Sequence, residues 1–134
     1  MEIIEKPVPY WPGYYARSDG TIRRPNGVVL MGSSNNNGYR CFRAKRKNWR
    51  RFYTQWVHRF VALAWVPNPR PDIFVEVDHI DRDPNNNKPS NLRWLSRSLN
   101  MLNNGARNTG FDSKMNKYYS RVTALKKVFF FGLL

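Results

Sequence analysis

VEVDHIDRDPNNNKPSNLRWLSRSLN, residues 75–100, is the stretch whose reading decides the fold. It opens as a strand ending near Asp78-His79, and a second strand follows at Asn91-Leu92-Arg93-Trp94-Leu95. Ser96 then stands where a hydroxyl can accept from the first free N–H groups of a helix over RSLNMLNN. Between the strands, Ile80 to Asn91 makes a polar connection of 12 residues, where a hairpin ordinarily uses about 2–5. So long a polar loop in a small domain is functional, or is a compact loop held by its own side chains. Asn85, Asn86, Asn87 and Asn91 suit the holding, since Asn bonds readily to nearby backbone and tolerates turn geometry. The stretch is also where negative charge collects. Five of the nine Asp and Glu of the chain, Asp72, Glu76, Asp78, Asp81 and Asp83, surround His79, one of only two histidines.

That concentration is odd because everything around it is basic. The chain of 134 residues carries 23 Lys and Arg, for a formal net charge of +14, and such a field draws polyanions while repelling copies of itself. Between Asp19 and Asp72 there is no acid, and eleven Lys and Arg occur. Most lie in YRCFRAKRKNWRRFYTQWVHR, which contains Arg43, Lys45, Arg46, Lys47, Arg50 and Arg51. Tyr39, Phe42, Trp49, Phe52 and Tyr53 interleave with them, so these strands are expected to offer cations to phosphates from one face and pack aromatics on the other. Nucleic acid is the expected partner, and a monomer is favoured.

A hydrophobic content of 41% supports one modest core without disulfides. Cys41 is the single cysteine, which excludes an internal disulfide and a Cys-only zinc ribbon and suits a reducing compartment. The opening MEIIEKPVPYW is acidic and broken by Pro where a secretory signal is basic and then apolar. No apolar run approaches the ~20 residues of a bilayer span. The expectation is a soluble protein of the cytoplasm with no membrane partner.

Outside the deciding stretch, the first third reads as short strands and turns: GYYARS, Asp19-Gly20, TIRR, Pro25-Asn26-Gly27, VVLM. After Asn35-Asn36-Asn37-Gly38, YRCFRAKR and RRFYTQW form another pair. A helix begins near Val57, with Phe60, Val61, Ala64 and Trp65 continuing its apolar stripe, and PNPRP stops it. Trp65 and Trp94 are expected to bury the hairpin against the helices. His58, at the helix start, reads as a packed structural histidine. The tail GFDSKMNKYYSRVTALKKVFFFGLL alternates as three short strands would.

Asp78-His79-Ile80-Asp81, Asn86-Asn87, Asn91-Leu92, Trp94 and Ser96 through Met101 resemble the HNH nuclease motif, the ββα-metal or His-Me finger, in its phage homing-endonuclease branch. VHRFVALAWVPNP is similar to the helix preceding that motif, and YWPGYYARSDGTIRR to the strand module found N-terminal to such nucleases. The tail resembles, more weakly, the three-stranded ethylene-response-factor type of DNA-binding sheet. The resemblance implies an α+β chain in three parts: a basic N-terminal strand module over residues 1–52, a ββα-metal nuclease core flanked by helices over 53–104, and short C-terminal strands over 105–134. It implies that His79 is the general base, that Asp78 and Asn100 hold one Mg²⁺ or Mn²⁺, and that Asn91 pins the loop, and it narrows the nucleic-acid partner to duplex DNA. Structural zinc is not expected. Arg82 stands where that branch has Gly, and Leu99 where it has an acid.

The chemistry needs these residue types. Phosphodiester hydrolysis requires a water stripped of a proton, for which an imidazole with a pKa of ~6.5 is suited, and a cation to take up charge on the phosphate and the departing 3′ oxygen. Carboxylate and amide oxygens are ligands for a hard divalent ion. In a flat strand Asp78 and His79 point to opposite faces, so a site using both requires local distortion or a phosphate between them. Arg93 and Arg97 flank the site as candidate phosphate contacts. The resulting expectation is an HNH endonuclease that nicks or cleaves DNA. Its competitors are an inactive HNH-like DNA-binding protein and, on charge and aromatics alone, an RNA-binding protein.

Overall fold

The computed structural model describes residues 2–105, so the tail strands expected beyond that point lie outside the described residues. The chain divides into two compact units: Met1–Pro67 with Val77–Trp94, and Asn68–Glu76 with the chain from Leu95 onward.

In the first unit, β1 (Glu5–Pro7), β2 (Tyr15–Arg17), β3 (Ile22–Arg23) and β4 (Val29–Leu30) form an antiparallel sheet in sequential order. Ala16 faces Ile22 across β2 and β3, and both are fully buried. The turns are those expected at Asp19-Gly20 and Asn26-Gly27. Asp19 Oδ1 accepts from the Thr21 N–H at 3.0 Å and Asn26 Oδ1 from the Val28 N–H at 3.1 Å, the side-chain closure that makes Asp and Asn turn residues. A second antiparallel sheet contains β5 (Ser33–Ser34), β6 (Arg40–Ala44) and β7 (Tyr53–Trp56). Asn35 Oδ1 closes its first turn by accepting from the N–H groups of Asn37 and Tyr39. The strands β1 and β5 carry too little apolar signal to be read from sequence, being a Pro-containing triplet and a Ser-Ser pair, both exposed.

Helix α1 (Val57–Trp65) follows β7 directly and buries Val57, His58, Phe60, Val61 and Ala62. Its Phe60 is the hub of the core, with ring centroids 4.7 Å from Trp11, 4.9 Å from Phe42 and 5.8 Å from Tyr14. Burying a side chain of that size contributes about 2–3 kcal/mol. The helix ends as Val66 N–H donates to the Ala62 carbonyl and the Pro-rich segment begins. Trp65 differs from its expected place. Its indole N–H donates to the Ala16 carbonyl at 2.9 Å and Lys6 sits 4.2 Å over its ring, so it ties α1 to the N-terminal sheet instead of to the hairpin.

The deciding stretch folds in the expected order. Strand β8 (Phe74–His79) and strand β9 (Leu92–Ser96) form a two-stranded sheet, with a 3-10 turn at Pro89–Asn91 and helix α2 (Arg97–Gly105) after it. Ser96 Oγ accepts from the Leu99 N–H at 3.1 Å, the predicted cap. Trp94 is buried in the first unit and donates its indole N–H to the Val66 carbonyl at 3.0 Å. Within the second unit, Asn68 donates to the Phe74 carbonyl, and Arg97 lies 3.5 Å from Glu76.

One contact connects the N-terminal module to the long loop. Gly20 has φ +88°, and a Cβ there would lie 2.8 Å from the backbone carbon of Asn87 and 2.9 Å from its oxygen. Gly27 has the same φ with nothing within 4 Å of a Cβ. Gly27→Ala is therefore expected to cost only the left-handed backbone penalty of about 1–2 kcal/mol, while Gly20→Ala adds displacement of the loop and costs more. Urea unfolding of the two variants side by side measures the difference.

Candidate active site

The site is built on the last two residues of β8. Asp78 and His79 are 4% and 3% exposed, a depth at which a carboxylate or imidazole needs partners. Asp78 finds one on β9: Arg93 directs both Nε and Nη2 at its Oδ2, each at 2.9 Å. His79 finds different ones. Its ring lies 5.8 Å from Tyr39 and 5.0 Å from His58 by centroid, and its Nε2 is 2.8 Å from Asn87 Oδ1. An amide oxygen only accepts, so Nε2 is the donor and the neutral ring carries its lone pair on Nδ1. Asn87 thereby selects the tautomer of the candidate base.

Asn87 is placed by a loop that is tied internally. Asn91 Nδ2 donates to Asp81 Oδ1 at 2.9 Å and to the Asn86 carbonyl at 2.8 Å, and its Oδ1 accepts from the Asp81 N–H at 3.0 Å. The backbone adds a bond from Ile80 N–H to the Asn91 carbonyl. Asp81 also accepts from Asn86 Nδ2 and the Asp83 N–H, and Asp83 from the Asn85 N–H. The Asn86 amide first, then the Asp83 N–H and the Asn91 amide, hold the Asp81 carboxyl below the usual carboxylate range. Two of the clustered acids are thus turn closures, and a third, Glu76, pairs with Arg97. Arg82 has φ +65°, the left-handed conformation that glycine adopts without cost and other residues rarely take. The tight turn from the His79 carbonyl to the Arg82 N–H is kept despite the side chain.

His58 is buried on α1 with its ring between those of Tyr39, Trp56 and His79. Its Nδ1 has no hydrogen-bond partner among the described residues. Burial, then the neighbouring charges of His79 and Arg59, pushes its pKa down to about 3, so it is a neutral packing element.

The basic residues separate into two kinds. Arg43, Lys47, Arg50 and Arg51 are exposed and Lys45 half-exposed. Arg46 is stacked 4.5 Å from Trp11 and 5.2 Å from Trp49, which makes it part of the core wall. Arg93 is engaged with Asp78, whereas Arg97 is 77% exposed on α2. Asn100 lies half-buried on the same helix. Among the described residues, no three His, Cys, Asp or Glu gather where they could hold a metal ion.

Residues 55–102 match the family model described as HNH endonuclease. The chain carries an HNH domain. Two uncharacterised HNH endonucleases of Acanthamoeba polyphaga mimivirus are similar to it, one 30% identical over 97 residues and the other 29% over 116. These alignments cover 72% and 84% of this chain but 24% and 34% of the relatives, so the chain spans about a quarter to a third of their length. The solved structure of I-HmuI, an HNH homing endonuclease that binds and cleaves DNA, matches with a TM-score of 0.63 and 26% identity. That match covers 90% of this chain and 67% of I-HmuI. The α+β class, with small antiparallel sheets and a helix after the second motif strand, is that of the HNH homing endonuclease fold.

Sequence reasoning assigned the HNH motif but missed two partnerships. Arg93, expected as a phosphate contact, pairs with Asp78 across the sheet of β8 and β9. Asn87 is expected to help hold the loop, and nothing local marks it as the amide that meets His79.

Two measurements test this site. Asn91→Ala removes three side-chain hydrogen bonds from the loop and is expected to cost about 2–4 kcal/mol in urea unfolding. For His58, the unfolded imidazole takes up a proton near ~6.5, whereas the folded one resists until about 3. Below ~6.5 the unfolded state binds more protons, so stability is full above that pH and falls as pH drops toward 3. His58→Gln is expected to flatten that acid limb, read as the urea midpoint across the range.

Proposed function

We propose that this HNH domain makes the chain a metal-dependent DNA endonuclease, hydrolysing a phosphodiester to leave 5′-phosphate and 3′-hydroxyl ends. The observation that carries the reading is the bond from His79 Nε2 to Asn87 Oδ1, which in the neutral imidazole places the lone pair on Nδ1. His79 takes the proton of the attacking water on Nδ1. Asn87 orients the ring, with Tyr39 and His58 packed against it. Asp78 and Asn100 supply a carboxylate and an amide, hard oxygen donors that suit Mg²⁺ or Mn²⁺ and leave room for water and phosphate. Two such oxygens without Cys or His do not make up the four-ligand set of a structural zinc site. A divalent ion, when bound, supplies charge neutralisation at the phosphate and the departing 3′ oxygen. The exposed cations Arg43, Lys45, Lys47, Arg50 and Arg51 attract the duplex, and Arg97 contacts phosphate.

One observation favours a second reading, a DNA-binding domain without catalysis: Arg93 occupies Oδ2 of Asp78. Plasmid relaxation separates the two. With Mg²⁺ the chain is expected to nick supercoiled DNA, and EDTA to stop it. His79→Ala should lose about 100-fold or more in rate with DNA affinity kept, and Asn87→Ala should lose less. Metal-independent, salt-sensitive binding with no nicking would establish the second reading.

A further inference from the structure

Phe52 breaks the pattern of the basic strands. Phe42 on β6 turns into the core, as expected, but Phe52 and Tyr53 are 44% and 54% exposed. The Phe52 ring forms a wall shared by two hollows of the first unit. One, of about 510 Å³, is lined by Arg24, Lys45 and Lys47 together with Gly13 and Pro25; the other, of about 500 Å³, by Arg24, Arg43 and Arg51. Arg24 lies 5.8 Å and the Lys45 ammonium 5.5 Å from the ring centroid. The arrangement is braced by backbone: Arg43 donates to the Phe52 carbonyl at 2.9 Å, and Arg24 donates to the Arg43 carbonyl. The acid of this sheet, Glu5, is taken by Arg17 and Arg23 at 3.4 and 2.8 Å, leaving the hollows uniformly cationic.

We propose that Phe52 is a stacking platform for an unpaired nucleotide, so that this face binds single-stranded DNA beside the duplex the domain is proposed to cut. The inference rests on the DNA reading above and adds a substrate feature to it. A duplex hides its base faces in the stack and presents phosphates, for which cations alone suffice. A ring left 44% exposed with two cations 5.8 and 5.5 Å from its centroid matches a nucleotide offering a base face and flanking phosphates together. A second copy of the chain would bring the same positive surface against this one and is repelled.

The test is fluorescence anisotropy of the full chain with a labelled oligonucleotide, as single strand and as duplex, at one salt concentration. Phe52→Leu keeps apolar bulk without the ring; it is expected to weaken single-strand binding by about tenfold while weakening duplex binding far less. Phe52→Trp is expected to restore it. Equal losses on both forms, or none on either, overturn the platform while leaving the nuclease reading intact. A wild-type chain that binds neither form overturns both.

Discussion

Asn91 is the residue on which the site depends. Its side chain, at the end of the long loop, reaches back to Asp81 at the start and Asn86 in the middle, while its carbonyl takes the Ile80 N–H. A 12-residue connection has a large conformational entropy, and each ordered residue costs about 1–2 kcal/mol. Asx closures at Asp81 and Asp83 and the Asn91 clamp offset that cost locally, without a hydrophobic core inside the loop. Asn87 is thereby carried to the edge of His79. The chemistry proposed for the imidazole rests on loop order more than on the strand bearing it.

The loop is also braced from outside. The turn at Gly20 meets the Asn87 backbone so closely that no side chain fits between them. Arg40 Nε reaches Asn85 Oδ1 at 2.8 Å. A turn and a strand of the basic N-terminal region therefore brace the loop that carries Asn87 to the candidate base. Damage to the module would be felt at His79 through geometry as well as through lost affinity.

Charge is distributed by function within the fold. The acids clustered around His79 are divided among turn closure, ion pairs of Asp72 with Arg70 and Glu76 with Arg97, and a buried pair with Arg93. Asp78 alone of them joins burial to the motif position. The arginines divide likewise: Arg46 is stacked into the Trp11 and Trp49 wall, Arg93 is engaged with Asp78, and Arg24 and Arg43 line the hollows beside Phe52 while donating to backbone carbonyls.

By itself the amino-acid sequence determined what depends on local patterning. Dipeptides with cheap positive φ marked the turns, the apolar stripe from Val57 marked α1, the hydroxyl at Ser96 marked the start of α2, and the HNH residue types marked the family of residues 55–102. Tertiary structure decided which side chains meet across long separations: Trp65 with Ala16, Arg93 with Asp78, Asn87 with His79 and Gly20 with Asn87. Alternation predicts only which face of its own strand a residue occupies, so it could not show that Phe52 faces solvent. Partner choice depends on how separate segments pack, and that information is spread over the whole core instead of residing in any one stretch.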